Sequence, residues 1–437
     1  MSEGSQTTDN DLRTFSKDEL AQLQQLYGWK ESFKTWRKGS DGRSNEKRLL
    51  SLLDFFPDGD DTRKCSIIDV DIGNKEHIHE FQIENTQKTN REYGKDMVIM
   101  HGYGAALGLF VRNFDGLSQV PGLTLHAIDM LGYGLSSRPK FPGTGFRSSY
   151  LKRGDISAKE VREAEDFFVD SLERWRQKKQ LERFVLVSHS LGGYLGCCYA
   201  LKYPERVEKL VLVSPVGVET SIFDLTRTHT NQHVHATELG PDVSKEISAD
   251  KANATTDRPV KTSSSFHVPD EAGNVEHVPN LPRIFSFMWS CNISPFGVLR
   301  SLGPMGALMS SRWSFRRFAH LQDPKELFTF HDYFYSVFSG AGSGEYALTR
   351  ILAPGVLARL PLLSRVPENI KCDSFWMYGS NDWMSKEAGQ VMVRKINENT
   401  SGIKADYSVV SNAGHHLYLD NPTEFNSKVL KFLKLES

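Results

Sequence analysis

Phe184-Val185-Leu186-Val187-Ser188-His189-Ser190-Leu191-Gly192-Gly193 is the stretch that decides the fold. Its first four residues are bulky, apolar and partly β-branched, which is strand character. From Tyr194 to Tyr203 the pattern becomes helical. A strand that turns at once into a helix leaves the residue at the turn, Ser190, with its hydroxyl exposed. The same turn presses two backbones together, so small residues are needed two positions before and two after the serine. Gly192 supplies one, and Ser188 stands where a G-x-S-x-G pattern has its first glycine.

Outward from this elbow, similar apolar runs recur at Met97–Met100, Leu125–Ile128, Leu210–Val213, Phe375–Tyr378 and Tyr407–Val410. Continuous apolar runs suit strands buried on both faces of a parallel sheet. One connecting helix is legible: Ser157 and Glu160 form an S-x-x-E capping box. Val161, Ala164, Phe168, Leu172 and Trp175 follow at three- and four-residue steps, and Lys178 and Lys179 close the helix. Strands alternating with helices give an α/β fold.

A serine hydroxyl is a poor nucleophile without a base, and the base needs an orienting acid. On such a sheet the order is serine, acid, histidine. Asp382 follows the strand Phe375–Tyr378, and His415 follows the strand Tyr407–Val410 directly after Gly414. His415 is preferred to His416 for that reason. An oxyanion site is expected in His101-Gly102-Tyr103-Gly104 after the strand Met97–Met100, with the backbone N–H groups of Tyr103 and Leu191 as donors. The turn Asp129–Ser136 reads as structural.

The chain has 437 residues and a formal net charge of −1, long enough for a core domain with insertions and without the basic balance of a nucleic-acid binder. Five unpatterned cysteines suggest a reducing, intracellular compartment. No apolar stretch reaches the roughly 18 residues of a membrane-spanning helix. The N-terminus lacks a secretory signal, and its acidity argues against a mitochondrial transit peptide. Four regions follow: a polar tail and amphipathic N-terminal helix (1–64), a first core part (65–216), an insertion (217–369) and a second core part (370–437). Within the insertion, residues 226–280 are polar and expected to be disordered. Their histidines (His229, His233, His235, His267, His277) lack metal-ligand spacing, so neither metal nor cofactor is expected. Residues 284–310 turn apolar and aromatic, as lid helices that line an acyl-chain pocket or pack on the core. Arg312, Arg316 and Arg317 beside them suit a phosphate headgroup or a solvated face. Leu26, Trp29, Phe33 and Trp36, ringed by Lys30, Lys34, Arg37 and Lys38, suit either an anionic membrane interface or packing on the core.

These motifs carry a resemblance. His101–Gly104, the turn from Asp129, Ser190-Leu191-Gly192-Gly193, Ser343-Gly344-Glu345-Tyr346-Ala347-Leu348, Pro354-Gly355-Val356-Leu357-Ala358-Arg359 and Gly414-His415-His416-Leu417-Tyr418-Leu419-Asp420 resemble the α/β-hydrolase family of lipid enzymes. That family contains the fungal cardiolipin-specific deacylase, a lysophosphatidic acid acyltransferase, an N-acyl phosphatidylethanolamine lipase and a lipid-droplet coactivator of triglyceride lipase. The resemblance covers most of residues 25–435 outside the polar insert. It implies an α/β-hydrolase fold, a phospholipid substrate met at a peripheral membrane or lipid-droplet surface, cardiolipin deacylation and a mitochondrial location, with cytoplasm or lipid droplet as the alternative. Unlike the coactivator, this chain keeps its serine. The family's H-x4-D motif, linked to acyl transfer onto lysophospholipids, falls on His415 and Asp420. Asp420 or Asn421 is also well placed to cap the helix opened by Pro422, the stronger reading of the position. Hydrolysis and acyl-CoA-dependent acyl transfer share an acyl-enzyme on Ser190, so the motif leaves both open. A non-catalytic lipase regulator is opposed by retention of Ser190, Asp382 and His415, and a soluble small-ester hydrolase by the apolar insertion.

Overall fold

Eight strands form one sheet in the computed structural model, which describes residues 19, 22–23, 27–141, 156–227, 269–275, 283–319, 321, 323–399 and 402–435. The strands are β1 (Arg63–Gly73), β2 (Glu76–Asn85), β3 (Asp96–Met100), β4 (Thr124–Ile128), β5 (Phe184–His189), β6 (Val207–Val213), β7 (Asp373–Gly379) and β8 (Ala405–Val410). Their spatial order is β1-β2-β4-β3-β5-β6-β7-β8. β1 and β2 pair antiparallel, as do β2 and β4; every other neighbouring pair is parallel. The expected disordered tail (1–20, save Glu19), Leu26 and the five histidines of the polar insert lie outside the described residues.

The principal helices are α1 (Trp29–Lys38), α2 (Gly42–Leu50), α3 (Val111–Ser118), α4 (Ala158–Lys179), α5 (Leu191–Lys202), α6 (Arg283–Ser290), α7 (Pro295–Ser301), α8 (Pro304–Arg317), α9 (Pro324–Ser339), α10 (Lys386–Glu398) and α11 (Pro422–Leu433). β5 is buried along its whole length. Phe184 and Leu186 point into one apolar layer with α4, α5 and α10, while Val185 and Val187 point into the other with α2, α3, α9 and α11. Burial on both faces is why the sequence of β5 shows no polar alternation.

α4 opens on the full capping box of Ser157 and Glu160, and buries Val161, Ala164, Phe168, Leu172 and Trp175. Each such side chain contributes about 1.5–3 kcal/mol of burial, so this stripe outweighs the many exposed charges on the opposite face. α5 starts at Leu191, three residues earlier than the helical pattern suggests, because the turn at Ser190 enters the helix without a linker.

Helices α6 to α9 lie between β6 and β7 in the chain. α1 packs along α8, and α2 along α9. The Ser343–Leu348 motif helps to seat this helical layer: Glu345 grips Arg300 of α7 through two hydrogen bonds of 2.6 and 3.1 Å. The Pro354–Arg359 motif is a short hairpin whose following residue, Leu360, accepts a hydrogen bond of 3.0 Å from Tyr194 of the elbow helix. Both motifs therefore serve packing around the elbow. No described helix is long and apolar enough to cross a membrane.

Candidate active site

Ser190 sits between β5 and α5 with φ 54° and ψ −116°, a left-handed backbone that non-glycine residues rarely adopt. Such strain persists only when the surroundings hold it. Here the Ser190 N–H donates to Val213 at the end of β6, and its carbonyl accepts from Tyr194 and Val216. A Cβ on Gly192 would lie 2.3 Å from the His101 carbonyl oxygen, which is why no larger residue fits there. On the other side, Ser188 stands where a G-x-S-x-G pattern has its first glycine, and its hydroxyl lies against Gly196 of α5. A Cβ on Gly196 would come within 2.5 Å of the Ser188 hydroxyl.

The structure brings Ser190, His415 and Asp382 together from three strand ends. His415 Nε2 lies 3.0 Å from Ser190 Oγ, and its Nδ1 lies 3.2 Å from Asp382 Oδ1. Asp382 is fully buried and accepts backbone N–H bonds from Gly379 and Met384. Burial by itself pushes its carboxyl pKa up. The hydrogen bond and charge of His415, with Ser214 and the Met384 N–H, outweigh that and hold it below the ordinary value. The His416 ring instead packs tilted against His189, centroids 5.1 Å apart, and edge-on to Tyr418 at 5.9 Å.

Two residues that the sequence did not single out complete the arrangement. Ser214, fully buried just past β6, places its hydroxyl 2.8 Å from His415 Nδ1. His189 donates from Nε2 to the His415 carbonyl over 3.0 Å. Burial drives the His189 pKa well below its ordinary value, and the neighbouring His415 adds to this, so the ring is neutral. A strand-end position is the one signal that could have marked either residue, and it is shared by many others.

The loop His101–Gly104 packs directly on the elbow, where a Cβ on Gly102 would lie 2.9 Å from that of Ser190. His101 is buried and acts as a tie. The Met130 N–H donates to its Nε2 over 3.0 Å, so the ring hydrogen is on Nδ1 and meets the Gly102 carbonyl at 2.8 Å. Burial, opposed by Asp129, lowers its pKa. Asp129 itself accepts the N–H groups of Leu107 and Leu135, which fits a structural turn. Leu191 is the first residue of α5, where backbone N–H groups have no partner within the helix. Over Tyr103 lies Phe296 of α7, ring centroids 5.3 Å apart, so the helical layer roofs this loop.

Asp420 is not the helix cap. Asn421 takes that role for α11, accepting from the Glu424 N–H, with Pro422 in the first turn. The Asp420 carboxylate instead accepts the Gly414 N–H at 2.9 Å and two N–H bonds from Arg317 at 3.1 Å each. Arg317 is thus engaged with a carboxylate, whereas Arg312 and Arg316 are solvated.

Among the described residues, Glu46, His79 and Asp129 form one group with metal-ligand spacing. Both His79 nitrogens already face carboxylates, Glu46 at 2.7 Å and Asp69 at 2.6 Å. Burial opposes the charge, but the bond to Glu46 raises the His79 pKa to about 9, while burial pushes the Glu46 carboxyl up, so the group is a hydrogen-bonded cluster tying α2 to the sheet.

Comparison with known proteins places these features in context. A family model described as alpha/beta hydrolase fold matches residues 97–239. The chain is 31% identical over 358 residues to 1-acylglycerol-3-phosphate O-acyltransferase of Arabidopsis thaliana, covering 79% of this chain and 69% of that protein. It is 30% identical over 378 residues to protein ECM18 of Saccharomyces cerevisiae, covering 82% and 74%. It is 30% identical over 336 residues to the (lyso)-N-acylphosphatidylethanolamine lipase of Homo sapiens, covering 76% and 77%.

Proposed function

Because this chain belongs to the α/β-hydrolase family of lipid-metabolising enzymes, we propose that it is a serine acyl hydrolase acting on membrane glycerophospholipids, with cardiolipin as its substrate. The observation that carries the mechanism is the continuous contact Ser190–His415–Asp382 at 3.0 and 3.2 Å.

In this mechanism Ser190 Oγ attacks the ester carbonyl while His415 Nε2 takes its proton. Asp382 holds the imidazole with Nδ1 protonated and stabilises the imidazolium as it forms. The N–H groups of Tyr103 and Leu191 receive the negative charge that develops on the carbonyl oxygen, a contribution of about 2.7–4 kcal/mol per donor in comparable sites. Collapse expels the lysolipid alkoxide, which takes the proton from His415 and leaves an acyl group on Ser190. Water, deprotonated by His415, then releases the fatty acid.

A second reading is supported by the acyltransferase names among the relatives. There the hydroxyl of a lysophosphatidic acid replaces water as acceptor and acyl-CoA supplies the acyl group. Access to lipid is supported by an apolar face on the outside of the molecule. Trp29, Phe33 and Trp36 of α1 and Met305, Met309 and Trp313 of α8 are all exposed. Lys30, Lys34, Arg37, Lys38, Arg312 and Arg316 rim them. A basic-rimmed aromatic face suits the interface of an anionic bilayer.

The test uses wild type and Ser190→Ala on cardiolipin-containing liposomes, following fatty acid and monolysocardiolipin, then lysophosphatidic acid with labelled acyl-CoA. Fatty acid release lost in Ser190→Ala is the expected result. Label entering phosphatidic acid with little release favours acyl transfer, and activity that survives Ser190→Ala refutes the mechanism.

A further inference from the structure

The segment Gly414–Asp420 is one turn of chain folded back on itself. Leu417, Tyr418 and Leu419 are fully buried and anchor it. That turn returns Asp420 to the peptide between Ala413 and Gly414, one residue ahead of His415, where its Oδ2 accepts the Gly414 N–H over 2.9 Å. On the far side of the histidine, the His415 carbonyl accepts from His189 over 3.0 Å. The chain is therefore held at Gly414, one residue before the histidine, and at the His415 carbonyl. Asp420 makes no hydrogen bond to Ser190, Asp382 or the imidazole.

The other oxygen of Asp420 is held by both Nη atoms of Arg317. Arg317 is the last residue of α8, the helix that exposes Met305, Met309 and Trp313. The pair is mostly shielded, with side chains 18% and 14% exposed, so it is more than a solvated surface contact. Because Asn421 caps α11, the carboxylate of Asp420 is not required for helix formation.

We infer that Asp420 and Arg317 are positioning residues that make the placement of His415 depend on the seating of α8. Asp420 supports deprotonation of Ser190 and of the acceptor alike, and does not select a lysolipid acceptor over water. This inference rests on the proposed role of Ser190 and His415.

The test measures hydrolysis of p-nitrophenyl butyrate, a soluble ester that needs no membrane, by the full chain. Asp420→Ala is expected to lower kcat about tenfold to a hundredfold, the scale of a misplacement near 1 Å, with KM within about twofold. Asp420→Asn retains an acceptor for the Gly414 N–H and should fall between wild type and Asp420→Ala. Arg317→Gln should match Asp420→Asn, Arg317→Lys should recover part of the loss, and the double variant Asp420→Asn/Arg317→Gln should be no worse than either single one. With lysophosphatidic acid added, the ratio of acyl transfer to hydrolysis should be the same in wild type and Asp420→Asn. Full kcat in Asp420→Ala overturns the inference, as does a transfer-to-hydrolysis ratio that collapses while hydrolysis stays intact. Loss of activity only in step with a lowered Tm also overturns it. Activity that persists in Ser190→Ala fails the site assignment instead, a result distinct from any of these.

Discussion

Gly192→Ala probes the site through one added methyl group. The new Cβ would stand 2.3 Å from the His101 carbonyl oxygen and 3.1 Å from that of Met100. To restore ordinary van der Waals separation, the elbow and the His101–Gly104 loop must part by about 1 Å. Both are backbone, and both are held: Ser190 by Val213, Tyr194 and Val216, and His101 by Met130. Overpacking of this kind costs about 1–3 kcal/mol of stability, offset in part by about 0.5–1 kcal/mol of helix propensity gained over glycine. The catalytic effect is larger, because the parting separates Ser190 and the Leu191 N–H from the proposed Tyr103 donor. A shift of about 1 Å lowers turnover by roughly 10²-fold, equivalent to about 2.7 kcal/mol in the barrier. The assay is kcat/KM on a soluble ester together with Tm, with Gly297→Ala as a control, since a Cβ there meets nothing closer than 3.7 Å. Turnover within threefold of wild type in Gly192→Ala would refute the reasoning, because the clash would then be absorbed without moving the site.

Further expectations follow from the same geometry. Asp382→Asn should keep the fold and lose about 10⁴-fold in kcat, because the amide presents the wrong hydrogen-bonding face to His415 Nδ1; stopped-assay kinetics beside circular dichroism check it. Gly196→Ala should destabilise the protein by driving a methyl into the Ser188 hydroxyl, and Ser188→Gly introduced with it should restore Tm, which thermal melts of the single and double variants will test. His79 has a folded pKa of about 9, raised above its ordinary 6.5 by Glu46 against the opposing effect of burial. Its stabilising contribution is therefore fully present below about pH 6.5 and disappears as pH rises through about 9, a loss on the order of 1–3 kcal/mol that a His79→Gln variant should not show in melts across that range. Trp29→Ser/Trp36→Ser should weaken sedimentation with anionic vesicles while leaving hydrolysis of a soluble ester unchanged, and unaltered sedimentation would remove α1 from the membrane face.

Much of the candidate site was legible in sequence because its parts are local. A nucleophile elbow is a strand, a tight turn and a helix within 20 contiguous residues of Phe184–Tyr203, and the small residues it needs sit at set offsets from Ser190. The capping box of α4 spans four positions and appeared as expected. The acid and the base could be chosen from chain order, since each follows a strand and the sheet places parallel strand ends at one edge. Even the preference for His415 over His416 came from a neighbouring glycine.

What remained for the tertiary structure is everything carried by pairs distant in the chain. Ser214 meets His415 across 201 residues and His189 meets it across 226, and no local pattern distinguishes a serine or histidine destined for such a contact. Asp420 and Asn421 both looked like helix caps because a cap is read from neighbours; Asn421 is the cap, whereas the partner of Asp420, Arg317, lies 103 residues away. The strain at Ser190 likewise depends on Val213 in the next strand. Turns, caps and hydrophobic periodicity are encoded by adjacent side chains and can be read in order. Hydrogen-bond partners at a site are chosen by where the packed sheet and its helices bring strand ends together, and that choice exists only once the chain has folded.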